Sequence, residues 1–406
     1  MVARSFAILP KRIFFANRRW VDGKALVVRQ GRIAALLSPA LLDPKIKVLE
    51  LPGMALLPGF VNAHTHLEFT DPSFVRPRYP GFVAWLNAIS AWKAERPARA
   101  TAESLARGVG ECLAHGTVAV GDHYGAAAPP RALLQSPLEG IVFHECIGLD
   151  DSKAAPVMAR MKRRARRFQN TALRFGIAPH APYSVSQSIL KRIVEETASA
   201  DIPISMHIAE SKAEVDACRC GEGALSRWIR GKTGRDTALA GIDLFAYLRG
   251  SGLFAHRMVA VHMNLASSQD LKHLPSSRVC VITCPKSHEY FAHPPFALEM
   301  FLRKHYCVAM GTDSLASNDA LNMFEELRMA RRLYPRVPLE RLWDMATING
   351  ARALGMPRAG WIAAGYAANL CAIPCSRTRH PLAEALHHRG EVAMTLIQGK
   401  VVWPLG

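Results

Sequence analysis

The sequence predicts an α/β protein, a distorted TIM (β/α)8 barrel with a small β-sandwich formed by both chain ends. Eight short apolar or β-branched runs alternate with longer segments of helical pattern, which favours parallel strands joined by crossover helices. Polar residues follow several of these runs, where a barrel places its active site. Both chain ends instead contain short hydrophobic runs separated by turn residues.

Eight candidate strands fill the central part of the chain, the number that a barrel requires. They are Leu56–His64, Thr117–His123, Ile141–Gly148, Leu173–His180, Ile202–Ile208, Met258–Met263, Val279–Thr283 and Val308–Gly311. Segments of helical pattern lie between most of them, including Ala102–His115, Gln187–Ser199, Leu321–Leu333 and Leu339–Leu354. The segment Ser211–Leu253 is too long for one crossover helix, so we expect an excursion near the active-site face.

The chain ends predict hairpins rather than crossovers. The relevant runs are Ala25–Val28, Ile33–Leu37, Asn369–Ile373 and Val392–Val402. We therefore expect residues 1–55 and 356–406 to form the β-sandwich, and residues 56–355 to form the barrel.

Composition excludes some classes of protein. No apolar run is long enough for a membrane span, and the N-terminal residues lack the pattern of a signal peptide. The nine cysteines are scattered, which predicts free thiols in a reducing cytoplasm.

The formal net charge of +18 is compatible with nucleic acid, an anionic membrane or an acidic small substrate. Its densest run, Lys162–Arg167, lies in a segment of helical composition and reads most simply as a solvated helix face. No aromatic interleaving or nucleic-acid motif accompanies it. An acidic small-molecule substrate is compatible with the charge but does not follow from it, and we expect neither nucleic acid nor a membrane as a partner.

His64 and His66 at the end of the first strand carry the strongest chemical signal. Residues i and i+2 of a strand point to the same face, so both imidazoles project together. His207, His262 and Asp313 likewise follow the fifth, sixth and eighth strands. Each alone is more commonly a structural polar residue, but together they predict a metal centre at the barrel rim.

These motifs resemble the amidohydrolase superfamily, and within it the nucleoside and aminopurine deaminases. Pro58–His66 is similar to the first-strand signature of the family, and Gly311–Ser314 to its last. Ala364–Leu370 is similar to a returning strand of its sandwich, with Asn369 where aspartate usually stands.

The resemblance implies that His64, His66, His207 and Asp313 bind one divalent cation, Zn²⁺ first and Fe²⁺ as the alternative. It implies that His262 orients the water that the cation activates and that Glu210 transfers protons, so the candidate catalytic residues are Glu210, His262 and Asp313. The fourth strand carries no bridging lysine or glutamate, although Glu145 on the third is a conceivable bridge. Family members are commonly homodimers or larger homo-oligomers.

The resemblance also suggests substrate contacts at Glu68, Trp85, His180 and His288, although Trp85 equally fits a core position. The motif around Glu68 and Trp85 is similar to that of aminodeoxyfutalosine deaminases, whereas Ala84 replaces the ribose-binding glutamate of methylthioadenosine/S-adenosylhomocysteine deaminases. Another aminopurine, a pyrimidine or a triazine remains an alternative substrate. An inactive binding protein with this fold is the alternative from a different class.

Overall fold

The computed structural model describes residues 5–15, 18–74, 77–234, 241–376 and 380–404. The N-terminal region contributes five strands: β1 (Phe6–Phe15), β2 (Arg19–Asp22), β3 (Ala25–Arg29), β4 (Arg32–Leu37) and β5 (Lys47–Pro58). Eight barrel strands follow: β6 (Phe60–Thr65), β7 (Thr117–Tyr124), β8 (Glu139–Cys146), β9 (Leu173–Pro179), β10 (Ile204–Ile208), β11 (Met258–His262), β12 (Val279–Thr283) and β13 (Cys307–Met310). The C-terminal region adds β14 (Leu370–Pro374), β15 (Met394–Ile397) and β16 (Lys400–Trp403).

Helices connect most of the barrel strands. The first seven are α1 (Phe82–Glu95), α2 (Ala98–Ala114), α3 (Arg131–Leu134), α4 (Ala154–Ala165), α5 (Gln187–Ala200), α6 (Lys212–Cys220) and α7 (Ala224–Thr233). The others are α8 (Leu244–Gly250), α9 (Pro285–Tyr290), α10 (Leu298–Arg303), α11 (Met323–Leu333), α12 (Leu339–Ala346), α13 (Ile348–Ala353) and α14 (Pro381–Leu386). Within the described ranges, no helix is long and apolar enough to cross a membrane.

The eight central strands form a parallel sheet in sequential order, β6 to β13. A parallel bridge between Thr65 and Asp313 and a 3.1 Å hydrogen bond from Asp313 N to His64 O join its two edges. Gly311 permits this closure, because a Cβ there would lie 2.5 Å from the same carbonyl oxygen of His64. The predicted barrel is therefore confirmed.

The strands of the two chain ends form a second sheet, in the order β16-β15-β14-β5-β1-β3-β4, with β2 paired to β1. Buried apolar residues from both ends, among them Ile8, Leu26, Leu370 and Leu396, pack into one cluster of this unit. The expectation that both ends build one separate β unit is confirmed.

The predicted first barrel strand, Leu56–His64, is wrong at its start. Leu56 to Pro58 end β5, which pairs with β14 in the second sheet, and the barrel strand begins at Phe60. Gly59 lies at the junction, where a Cβ would approach Val118 Cγ1 to 2.3 Å. One continuous apolar run thus serves two sheets, which periodicity alone does not reveal.

Two helical predictions also differ in detail. The predicted helix Leu339–Leu354 is two helices, because Thr347 leaves the helical conformation at φ −134° and ψ −93°. The basic run belongs to α4 and the short helical turn after it, and four of its five cations are exposed. The fifth, Arg164, is buried and donates a hydrogen bond to the Ala126 carbonyl. The run is therefore mainly a solvated face.

Candidate metal centre and active site

Side chains from different barrel strands meet at the carboxyl-terminal rim of the barrel. His64 lies in β6, His66 follows that strand directly, and His207 lies in β10. The ring centroids of His64 and His66 are 5.0 Å apart, and that of His207 lies 5.1 Å from His64. The structure thus brings together the three histidines that the sequence predicts as metal ligands.

Asp313 presents one carboxylate oxygen to the histidines and the other to two hydroxyl groups. Oδ1 lies 3.7 Å from His64 Nε2 and 3.8 Å from His66 Nε2. Oδ2 accepts hydrogen bonds of 2.7 Å from Ser287 and 2.8 Å from Ser317. Burial would raise the pKa of the Asp313 carboxyl, but the adjacent imidazoles, His64 first, lower it below its ordinary value. An ionised oxygen therefore faces the histidine cluster.

The His207 ring is held in one orientation by the backbone. Its Nδ1 donates a 2.8 Å hydrogen bond to the His180 carbonyl oxygen, which leaves the lone pair on Nε2. Burial, together with the neighbouring His64 and His180 rings, lowers the pKa of His207 to about 3. The ring is neutral at physiological pH, and a carbonyl partner of this kind is typical of metal-binding histidines.

The residues of this cluster fit a divalent cation. Both ring nitrogens of His64 and Nδ1 of His66 are buried without a hydrogen-bond partner. Unsatisfied buried polar atoms cost free energy, which a bound cation would recover by taking up the lone pairs. Neutral imidazoles with one carboxylate are the donor set that Zn²⁺ and Fe²⁺ accept in catalytic sites.

Glu210 and His262 lie together at the same rim. His262 Nε2 is 3.6 Å from Glu210 Oε1, and both side chains are buried. Burial, with the carboxylates of Asp313 and Glu214, raises the pKa of the Glu210 carboxyl well above its ordinary value. Glu214 holds the segment by accepting hydrogen bonds from the backbone N–H groups of Ala209 and Glu210. Glu210 is therefore positioned to hold a proton beside the cluster.

The backbone at this rim is strained. Ala209, His262, Met263 and Asp313 have φ angles of 50°, 69°, 52° and 58°, in the left-handed region that non-glycine residues rarely adopt. Each such residue costs roughly 1–3 kcal/mol, and such residues cluster at functional sites. Two of these four residues, His262 and Asp313, are also the ones whose side chains face the cluster.

A cavity of about 450 Å³ opens above the cluster. His66, His207, Glu210, His262 and Asp313 line its inner end. Its walls are largely apolar and aromatic, built from Phe69, Phe82, Trp85, Leu86, Ile89, Trp228 and Ile229. The last two come from α7, so the predicted excursion after β10 does reach the active-site face. An apolar cavity with a few convergent polar groups is the usual form of a small-molecule site.

Two of the four predicted substrate-binding residues line this cavity. Trp85 is a wall residue whose Nε1 donates a 2.9 Å hydrogen bond to the Ala316 carbonyl, and His180 Nδ1 lies 2.8 Å from Ser184 Oγ. Glu68 and His288 are buried and are not among the residues that line the cavity. Contact of these two with a substrate stays a prediction.

Glu68 has a different set of partners from the one expected. Its carboxylate accepts hydrogen bonds from the N–H groups of Gly125 and Ala126 and lies 3.6 Å from Lys93 Nζ. His288 Nδ1 lies 3.2 Å from Asn264 Oδ1, and Asn264 donates a hydrogen bond to the Glu210 carbonyl. Both predicted residues therefore lie in a layer that supports the cavity.

Two further residues of the site, Lys93 and His123, were not predicted from the sequence. Lys93 comes from α1, and it lines the cavity beside Glu145, whose Oε1 is 3.9 Å from His66 Nδ1. His123 lies in β7, and its ring centroid is 4.5 Å from that of His64. A signal existed for His123, because it ended the predicted second strand, whereas nothing in the sequence pattern marks Lys93.

Comparison with known proteins places the chain among metal-dependent hydrolases. Residues 55–402 match the model of the amidohydrolase family. The chain is 30% identical to aminodeoxyfutalosine deaminase of Deinococcus radiodurans over 75% of either chain. It is 27% identical to 5-methylthioadenosine/S-adenosylhomocysteine deaminase of Pyrococcus abyssi, over 88% of this chain and 84% of the relative.

A solved structure shows the same fold. The crystal structure of Helicobacter pylori aminofutalosine deaminase in complex with methylthio-coformycin superposes with a TM-score of 0.88. The match covers 98% of this chain and 100% of that chain at 23% sequence identity.

Proposed function

This chain belongs to the amidohydrolase family, and on that basis we propose that it is a metal-dependent hydrolytic deaminase of 6-aminopurine nucleosides, with aminodeoxyfutalosine as the favoured substrate. The observation that carries the proposal is the buried Glu210 carboxyl, 3.6 Å from His262 and beside the predicted ligands, at the inner end of an aromatic cavity. Hydrolysis of an amide or ester has less need of a proton donor there, because its leaving group is not conjugated to an aromatic ring.

We propose that His64, His66, His207 and Asp313 hold one divalent cation, with Zn²⁺ favoured by the imidazole-rich donor set. A bound cation of this kind lowers the pKa of water from about 15.7 to roughly 7 and so supplies hydroxide at neutral pH.

Glu210 transfers the protons, and His262 positions the water. The raised pKa of the Glu210 carboxyl allows it to hold a proton on its oxygen and deliver it to a nitrogen of the purine ring. Protonation of that nitrogen makes the adjacent ring carbon electrophilic. His262, neutral because burial lowers its pKa well below the ordinary value, orients the attacking water. Water supplies the oxygen of the product, and the amino group leaves as ammonia.

The nine cysteines form no disulfide, which favours a reducing compartment. We accordingly propose a cytoplasmic enzyme.

We expect one metal ion per chain. The fourth barrel strand, β9, offers no carboxylate or lysine as a bridge, and Lys93 carries positive charge beside Glu145, which disfavours a second cation there. Elemental analysis of the active protein checks this stoichiometry. Two ions per chain, with activity that follows the second, would contradict it.

The outer part of the cavity supports a substrate with an acidic aromatic substituent. Two cations, Lys93 and Lys232, are among the lining residues. Lys93 is committed to Glu68, whereas Lys232 is exposed and forms no ion pair with another residue in the described part of the chain. The aromatic walls would contact the phenyl ring of aminodeoxyfutalosine, and Lys232, near Trp228, would pair with its carboxylate.

We expect Lys232→Gln to raise KM for aminodeoxyfutalosine by about 5-fold, since a solvent-exposed ion pair contributes up to about 1 kcal/mol. KM for methylthioadenosine, which has no carboxylate, should stay constant, as should kcat for both. Steady-state kinetics on both nucleosides measure the difference. Lys212→Gln, an exposed lysine of α6 outside the cavity, is the matched control. An equal rise in KM for both substrates would show that Lys232 does not recognise the carboxylate.

The overall proposal is tested by following both products. Metal-loaded protein incubated with aminodeoxyfutalosine in heavy-oxygen water should release ammonia and yield a hypoxanthine nucleoside that carries the labelled oxygen. Release of free purine base without ammonia would indicate cleavage of a different bond and would refute deamination.

A further inference from the structure

A fourth imidazole, that of His123, lies within the histidine cluster. His123 is near the end of β7 and only 1% exposed. Its ring centroid lies 4.5 Å from that of His64, 4.8 Å from that of His207 and 5.4 Å from that of His66. It does not line the cavity, so it approaches the cluster from the interior of the barrel.

The hydrogen bonds of Ser205 determine the tautomer of His123. The Ser205 hydroxyl donates to the Val259 carbonyl oxygen at 3.3 Å, and a carbonyl can only accept. Because the hydroxyl proton is used in this way, the 2.8 Å contact between Ser205 Oγ and His123 Nε2 requires Nε2–H as the donor. The lone pair of the neutral ring is therefore on Nδ1.

That Nδ1 atom is buried and has no hydrogen-bond partner. A buried acceptor without a partner costs free energy unless something takes up its lone pair. One ring nitrogen of His123 is thus held by a hydrogen bond to Ser205, and the other has a free lone pair. His207 has the same arrangement, with the His180 carbonyl as the hydrogen-bond partner.

Ring nitrogens of the four histidines lie close together. One ring nitrogen from each of His64, His66, His123 and His207 lies within 4.8 Å of the other three. Tetrahedral zinc with Zn–N distances of about 2.0–2.1 Å separates its ligand nitrogens by roughly 3.4 Å, so small side-chain rotations suffice to close the set.

We propose that His123 is a further ligand of the metal ion, binding through Nδ1, with Ser205 as its positioning residue. The inference rests on the proposed metal centre but not on the substrate or the reaction. His123 would bind from the barrel interior, which leaves the side of the ion that faces the cavity open for water and substrate. A further imidazole would also tighten the retention of the ion.

The direct test is a crystal structure of the zinc-loaded protein, with the ion located by anomalous scattering. We expect His123 Nδ1 at about 2.0–2.1 Å from zinc. An ion bound by His64, His66 and His207 with His123 Nδ1 beyond about 3 Å would overturn the assignment while leaving the metal centre intact. Absence of zinc from this cluster would overturn both.

A metal-affinity measurement gives an independent readout. His123→Phe should weaken zinc binding by more than about 100-fold in competition with a chelator, since loss of a second-sphere partner alone costs 10–100-fold. The matched control is His144→Phe, because His144 is also a buried strand histidine but lies on β8 and contacts Arg164 instead of the cluster. It should keep the wild-type affinity. Equal affinities of the two folded variants would contradict the proposal.

Discussion

Replacing Asp313 with alanine is expected to abolish both metal binding and activity. Asp313 offers an ionised oxygen 3.7 Å from His64 Nε2, and its other oxygen is fixed by Ser287 and Ser317. Removal of this carboxylate takes away the only anionic donor of the proposed set and leaves two hydroxyl groups without their acceptor. We expect the metal content of the purified variant to fall below detection and the rate to fall by more than about 10⁴-fold, beyond the usual cost of one general acid or base.

Elemental analysis and the ammonia-release rate measure the two effects. Asp344→Ala is the matched control. Asp344 is also a buried aspartate, but it lies on α12 and pairs with Arg18. That variant should keep its metal. Retention of stoichiometric metal by Asp313→Ala would exclude Asp313 as a required ligand.

Glu210→Gln is expected to keep the metal and lose turnover. The glutamine side chain has nearly the same shape, so the backbone hydrogen bonds from Ala209 and Glu210 to Glu214 should persist. It cannot, however, exchange a proton with the purine ring, and loss of one such group commonly costs about 10²- to 10⁴-fold in rate. We expect kcat to fall by that range with unchanged metal content.

Glu222→Gln, which changes an exposed glutamate after α6, should leave both quantities as in the wild type. If Glu210→Gln instead purifies without metal, Glu210 is required for metal binding, and its assignment to proton transfer alone is wrong.

The barrel could be predicted from sequence because most residues of the parallel strands are buried on both faces, so that most of these strands are largely apolar runs. Val279–Thr283, for example, has the same bounds in the prediction and in the structure. The start of the first strand could not be predicted, since Leu56, Leu57 and Phe60 are all fully buried but belong to two different sheets. The pairing of β5 with β1 and β14 separates them.

The cluster of His64, His66, His207 and Asp313 could be anticipated because strand ends of a barrel converge, so that position along the chain predicts position in space. His123 obeys the same rule but matched no motif that would have distinguished it from a structural histidine. Lys93 could not be predicted, because it lies on helix α1 and the local sequence does not determine how that helix packs over the rim of the barrel. The partners of Glu68 were also not predictable, because Gly125 and Ala126, which donate hydrogen bonds to its carboxylate, come from a loop far along the chain.

Deamination of a 6-aminopurine nucleoside can be followed in the ultraviolet spectrum of aminodeoxyfutalosine during incubation with metal-loaded protein. Deamination converts the adenine chromophore to hypoxanthine, so we expect a time-dependent change in absorbance with the loaded protein and none with metal-depleted protein. Turnover of adenosine but not of the carboxyphenyl nucleoside would contradict the favoured substrate alone. If aminodeoxyfutalosine, adenosine and methylthioadenosine all leave the spectrum unchanged, the assignment as a 6-aminopurine deaminase is wrong.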